Sequence, residues 1–120
     1  MLIEVLKSKI HRIKVTDGNL DYIGSLTLDI DLMEKVGLIS GEKIQVLNVN
    51  NGERLETYVI EGERGKGDVI VNGPATYKIK KGDLIIINSY AQINHESAYK
   101  FKPKLCLLYT SDAADDSWRG

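Results

Sequence analysis

Apolar residues in this chain come in short runs with polar residues set between them, a pattern that predicts strands more than helices. Residues 2–6 and 10–16 are rich in Ile, Val and Leu with polar residues interleaved, which predicts two strands or one long bent one. In TDGNL, 16–20, the Asp-Gly pair and Asn19 predict a turn, and LDYIG, 20–24, follows as a short strand. Asp29 or Asp31 is placed to cap a helix through Leu32, Met33 and Val36, with Gly37 as its stop. KIQVLNV, 43–49, and RLETYVIE, 54–61, flank Asn50-Asn51-Gly52, a hairpin signal because Asn-Gly supplies the positive φ angles of a tight turn. GERGKG, 62–67, reads as a loop and DVIVN, 68–72, as a short strand. NGPA, 72–75, is a second turn whose proline opens one helical turn. DLIIINSYAQI, 83–93, is a run of buried type, and KLCLLY, 104–109, is the last strand. Many short strands and two short helices make a mainly β fold, economically a small closed barrel, because closure leaves no exposed edges.

Composition narrows the classes of function. A chain of 120 residues is one domain with room for a core. Its net charge of −1 shows no electrostatic footprint for nucleic acid. Charged residues interrupt the apolar N-terminus at Glu4, Lys7, Lys9, His11 and Arg12, which excludes a signal-peptide core or a membrane span there and predicts a cytoplasmic protein. The single cysteine, Cys106, excludes an internal disulfide and a cysteine-based metal site, and its apolar surroundings predict core packing. His11 and His95 lack metal-ligand spacing, and the glycines of 62–67 lack the spacing of a nucleotide-binding loop. Residues 109–120, with three aspartates and one arginine, read as a disordered acidic tail. That string also resembles read-through into adaptor DNA; resequencing the locus tests this.

The bond between Gly24 and Ser25 carries the candidate chemistry. A serine hydroxyl can attack the preceding carbonyl and turn the amide into an ester, and a glycine there can adopt strained backbone conformations and leaves one face of the carbonyl open. Elimination then cuts the chain and leaves a ketone in place of the serine. A Gly-Ser pair is by default only a turn. Other polar residues stand out: Lys9, His11, Arg12, Tyr22, Arg54, Thr57, Tyr58, Asn72 and Gly73. Lys9 and His11 are two apart on a strand and share a face, either a solvated one or a cationic pair for a dicarboxylic substrate. Arg54 offers a planar fork to a carboxylate or makes a surface salt bridge. Thr57 and Tyr58 point to opposite sides of a strand unless a bulge intervenes. Asn72 and Gly73 form a turn that can also donate hydrogen bonds to an oxyanion.

In order and spacing, KIHRIKVT at 9–16, LDYIGS at 20–25, NVNNGERLETYVI at 48–60, GERGKG at 62–67, VNG at 71–73 and GDLIII at 82–87 resemble the bacterial pyruvoyl-dependent aspartate 1-decarboxylases. The resemblance spans about residues 1–108. It implies a double-psi β barrel with short helices, assembled as a homotetramer with sites between subunits. It further implies a self-cleaving precursor whose residues 1–24 form the smaller chain and 25–120 the larger, with a pyruvoyl cofactor made from Ser25 and neither metal nor pyridoxal phosphate. The implied reaction converts L-aspartate to β-alanine and CO2 in pantothenate biosynthesis, through a Schiff base on the pyruvoyl ketone. Gly24, Ser25, Thr57 and Asn72 match processing positions, and Tyr58 matches the proton donor. Thr57, Gly73, Pro74 and Ala75 match substrate-binding positions, and Lys9, His11 and Arg54 match basic residues near the substrate carboxylates. Pro74 departs from the alanine common in the family, and removes an N–H donor. The resemblance also allows a helper protein in maturation.

Two other readings stand beside this one: a β-barrel binding or assembly module in which Gly24-Ser25 is a turn, and a pyruvoyl decarboxylase for another acidic amino acid.

Overall fold

The computed structural model describes residues 1–108; the tail expected at 109–120 lies outside them. Eight strands carry the fold: β1 (Leu2–Lys14), β2 (Asp17–Asn19), β3 (Ser25–Asp29), β4 (Lys43–Asn48), β5 (Arg54–Gly62), β6 (Val69–Asn72), β7 (Leu84–Asn94) and β8 (Lys104–Leu107). Two short helices, α1 (Ile30–Val36) and α2 (His95–Ala98), and a 3-10 helix at Gly73–Tyr77 complete it. The 3-10 helix has Pro74 in its first turn, where the sequence put one helical turn.

The first run of apolar residues is one long bent strand. Its pairing with β7 shifts register between Leu6 and Ser8 and again between His11 and Ile13. The second shift accommodates Arg12, whose φ of 69° lies in the left-handed region. This extra residue explains why Ile10 and Ile13, three apart rather than two, are both fully buried. α1 begins as expected, with the Asp29 carboxylate accepting from the Asp31 N–H, and ends at Gly37 with a φ of 75°.

Local expectations fail over residues 16–24, where longer-range contacts override short-range signals. Asp17-Gly18-Asn19 is a strand, not a turn: it pairs in parallel with Ile70–Asn72 of β6. The turn comes later, where the Tyr22 N–H donates to the Asn19 carbonyl, and residues 20–24 are bend and turn instead of strand. The β4–β5 hairpin forms where Asn50-Asn51-Gly52 predicts it. Asn48 and Glu53 close its loop, and only Gly52 within it has a positive φ. His95 opens α2 behind an Asn94 cap.

Hydrogen-bonded strands follow the order β2-β6-β3-β5-β4-β7-β1-β8, without a closing ladder between β2 and β8. The closed barrel of the sequence reading is therefore open in its hydrogen bonding. It is nonetheless rolled. β1 and β2 stand near opposite ends of that order, yet only Val15 and Thr16 separate them in the chain, and the Thr16 N–H donates to the Val69 carbonyl of β6 at 2.8 Å. The inner face of this small β barrel carries one core cluster, including Ile10, Leu26, Leu28, Ile44, Val46, Val59, Val71 and Ile87. Cys106 packs there as expected, its thiol pushed up by burial. Among the described residues no helix is long and apolar enough to cross a membrane.

Candidate active site

Alternation along β3 sends Leu26 and Leu28 into the core and Ser25 and Thr27 to the opposite, outer face. Ser25 is the first residue of the strand and faces Asn72, the last residue of the antiparallel β6. Ser25 and Asn72 are both buried, at 2% exposure each. The Ser25 hydroxyl donates to the Ile23 carbonyl at 2.9 Å, and the Asn72 amide Nδ2 donates to Ser25 Oγ at 3.1 Å and to Thr27 Oγ1 at 2.9 Å. The nucleophile is thus held from two sides.

Gly24 has no left-handed φ, contrary to the expectation that it supplies the strain, and a Cβ built on it would come no nearer than 3.8 Å to Pro74 Cδ. The glycine that matters sterically is Gly73. Its φ is 73°, and a Cβ there would fall 2.7 Å from Gly24 Cα and 3.0 Å from Gly24 N. The turn at 72–75 is therefore pressed directly against the Gly24–Ser25 segment. Ala75, in the same 3-10 helix, rests partly buried against the core, and Pro74 is exposed.

Tyr58 lies on β5, the strand next to β3. Leu26 pairs with Val59, so Tyr58 falls on the same outer face as Ser25 and Thr27. Thr57 does not: it lies opposite Ile44 on the side of Leu55 and Val59, and the β4–β5 register runs without a bulge. Lys9, His11 and Arg54 share the outer face as well, since Lys9 pairs with Asn88, Asn88 with Gln45, and Gln45 with Glu56 across four strands. They are not brought to the bond. Arg54 is four residues from Tyr58, roughly 13 Å along a strand, and β1 lies three strands from β5, roughly 14 Å away. Arg54 instead lines a surface hollow of about 380 Å³ with Lys43, Gln45, Glu56 and Tyr90. Tyr22 is exposed, with its carbonyl oxygen near the Gly73 turn.

Burial, then the neighbouring positive charges of Lys9 and Arg12, pull the His11 imidazole below its ordinary value. Thr27 and the Ile23 carbonyl were missed by the sequence reading: the Ile23 contact is a local bond two residues back, and the Thr27 contact depends on the pairing of β3 with β6, remote in sequence.

Fold and site together define a small β-barrel protein with a buried serine hydroxyl held by hydrogen bonds next to a glycine. The family model for aspartate decarboxylase matches residues 1–114. The aspartate 1-decarboxylase of Parabacteroides distasonis is 55% identical over 105 residues, 88% of this chain and 90% of its own. That of Christiangramia forsetii is 57% identical over the same shares. The Caldicellulosiruptor saccharolyticus aspartate 1-decarboxylase is 53% identical over 108 residues, 90% of this chain and 84% of its own. The chain belongs to the aspartate decarboxylase family.

Proposed function

We propose that this protein cleaves itself between Gly24 and Ser25 and then decarboxylates L-aspartate to β-alanine, a step toward pantothenate, in the cytoplasm. The observation that carries the reading is the Ser25 hydroxyl, buried and fixed between the Ile23 carbonyl and the Asn72 amide, with Gly73 pressed on the peptide unit to be cut. Family membership supports the same substrate.

In the processing step, Ser25 Oγ attacks the Gly24 carbonyl carbon; the C–O bond forms, the C–N bond breaks and the hydroxyl proton ends on the Ser25 nitrogen. Loss of the Ser25 Cα proton expels the Gly24 carboxylate from Cβ and severs the chain. Water then displaces the nitrogen as ammonia and leaves a pyruvoyl ketone at residue 25. Asn72 holds the hydroxyl in the precursor and supplies an N–H to the oxyanion as attack proceeds. The donor set fits the product also, because a ketone oxygen at residue 25 needs a donor and the Asn72 amide provides one. The ketone, once formed, supplies the electron sink that decarboxylation requires.

The remaining residues bind, orient and move protons. Tyr58, on the strand beside Ser25 and on its face, holds a proton at its phenolic oxygen for the carbon that loses CO2. Gly73, Pro74 and Ala75 border the substrate, where Pro74 has no N–H and the main-chain donors are those of its neighbours. Thr57 enters the processing and substrate-binding roles by family resemblance alone, since it lies on the inner side of β5, turned away from Ser25. Lys9, His11 and Arg54 lie too far from Ser25 in their own chain, so a second copy presents them. This is the reason to expect an oligomer, a homotetramer by family. Cations brought to the site in this way favour an acidic substrate.

Intact mass after incubation of the purified chain tests the processing reading. Two fragments split after Gly24, the larger lighter by one ammonia than a chain starting at Ser25, are expected; Ser25→Ala stays uncut and inactive. A wild-type chain that decarboxylates while uncut overturns the proposal. Parallel assays with aspartate and glutamate check the substrate, with aspartate turned over and glutamate not.

A further inference from the structure

We infer that Thr27 is a positioning residue for self-cleavage, acting through Asn72; the inference rests on the self-processing reading above. An asparagine amide can face either way, and only its N–H side can donate to Ser25 Oγ. Asn72 Nδ2 has two protons and meets two hydroxyl oxygens, Ser25 Oγ at 3.1 Å and Thr27 Oγ1 at 2.9 Å. The Thr27 contact is the shorter, and it belongs to a residue that takes no part in the bond changes. Two acceptors on one side bias the amide toward the orientation in which nitrogen faces the nucleophile.

Thr27 can serve this way because its own rotamer is determined. β3 runs between β5 and β6, and Thr27 pairs with Ile60 on one side and Ile70 on the other. The Thr27 methyl, Cγ2, is turned toward β5, so close to Gly62 that a Cβ there would lie 3.1 Å from it. With the methyl lodged toward β5, the hydroxyl is directed toward β6, where Asn72 stands. Threonine is β-branched and stiff at χ1, so holding one branch holds the other. Serine keeps the hydroxyl without the methyl that fixes it, and valine keeps the shape without the hydroxyl.

The test compares full-length precursors of wild type, Thr27→Val and Thr27→Ser, purified before cleavage is complete, by the rate at which the two fragments appear on a denaturing gel and by Tm. Loss of one orienting hydrogen bond is expected to slow Thr27→Val by about tenfold. Thr27→Ser recovers most of that rate, although the lost methyl gives it no stability advantage over valine. A purely structural role would instead make the cleavage rates follow Tm. Wild-type cleavage matched by Thr27→Val, or rates that track Tm across the variants, overturns this inference alone. Wild type that never cleaves overturns the processing reading and this inference together.

Discussion

Two glycines next to the serine have opposite duties. Gly24 has room for a methyl group, whereas a Cβ on Gly73 would overlap the Gly24 backbone and force a side chain into the left-handed region, costing roughly 1–2 kcal/mol before any clash. Gly73→Ala is therefore expected to lower Tm and nearly stop self-cleavage, while Gly24→Ala folds with a Tm close to wild type. Equal melting and equal cleavage in Gly73→Ala would remove the contact from the processing argument. Tyr58→Phe keeps the ring and loses the phenolic proton, so it should cleave normally and decarboxylate poorly; full decarboxylation by that variant excludes Tyr58 as donor. The imidazole of His11 is harder to protonate folded than unfolded, so the unfolded state gains protons first as pH falls. Its contribution to stability is complete above about pH 6.5 and declines as acid reaches the lowered folded value. Tm measured on acidification should fall less in His11→Gln than in wild type. Ser25, Asn72 and Tyr58 were singled out in the sequence through the family resemblance. Thr27 was not, because its significance arises from a pairing with a strand more than forty residues away.

At the level of elements, Asp29 ties three pieces together. Its carboxylate caps α1 through the Asp31 N–H at 2.8 Å and accepts from the Gly67 N–H at 2.7 Å, fixing the loop between β5 and β6 to the far end of β3. Since it is fully buried, Asp29→Ala strands these donors and is expected to cost about 2–4 kcal/mol, read as a fall in Tm or in denaturant midpoint. The helix was legible because capping is written within a few residues, and the long β1 because its apolar positions alternate. β2 was hidden because Asp-Gly is a turn former whose local preference yields to pairing with β6. Residues 20–24 misled in the other direction. Leu20, Tyr22 and Ile23 look like strand residues, but all three are exposed, Ile23 at 72%. Asn50-Asn51-Gly52 signals reversal correctly without determining the loop length, which the Asn48–Glu53 closure sets.

For the whole molecule, the proposed roles of Lys9, His11 and Arg54, which lie far from Ser25 in one chain, make assembly a condition of the proposed activity. Mixing an inactive Ser25→Ala chain with an inactive Lys9→Ala, Arg54→Ala chain, and refolding them together, should restore part of the decarboxylation through mixed oligomers. No recovery would place the cations outside the site. The barrel-like architecture was legible from the count of short strands, but its open hydrogen-bond order was not, since that depends on which strands meet. One feature of that order bears on the life of the mature protein. β1 is bonded between β7 and β8 and plants Ile10 and Ile13 in the core, yet it belongs to the part that precedes the cut. Before cleavage, refolding is an event within one chain for that strand. Afterwards the strand is a separate molecule that must be recaptured from solution, and its capture depends on concentration. Dilute, heat-treated mature protein should recover less than precursor treated the same way. Maturation thus makes the enzyme a complex of two fragments that forms readily only once, while they are still joined.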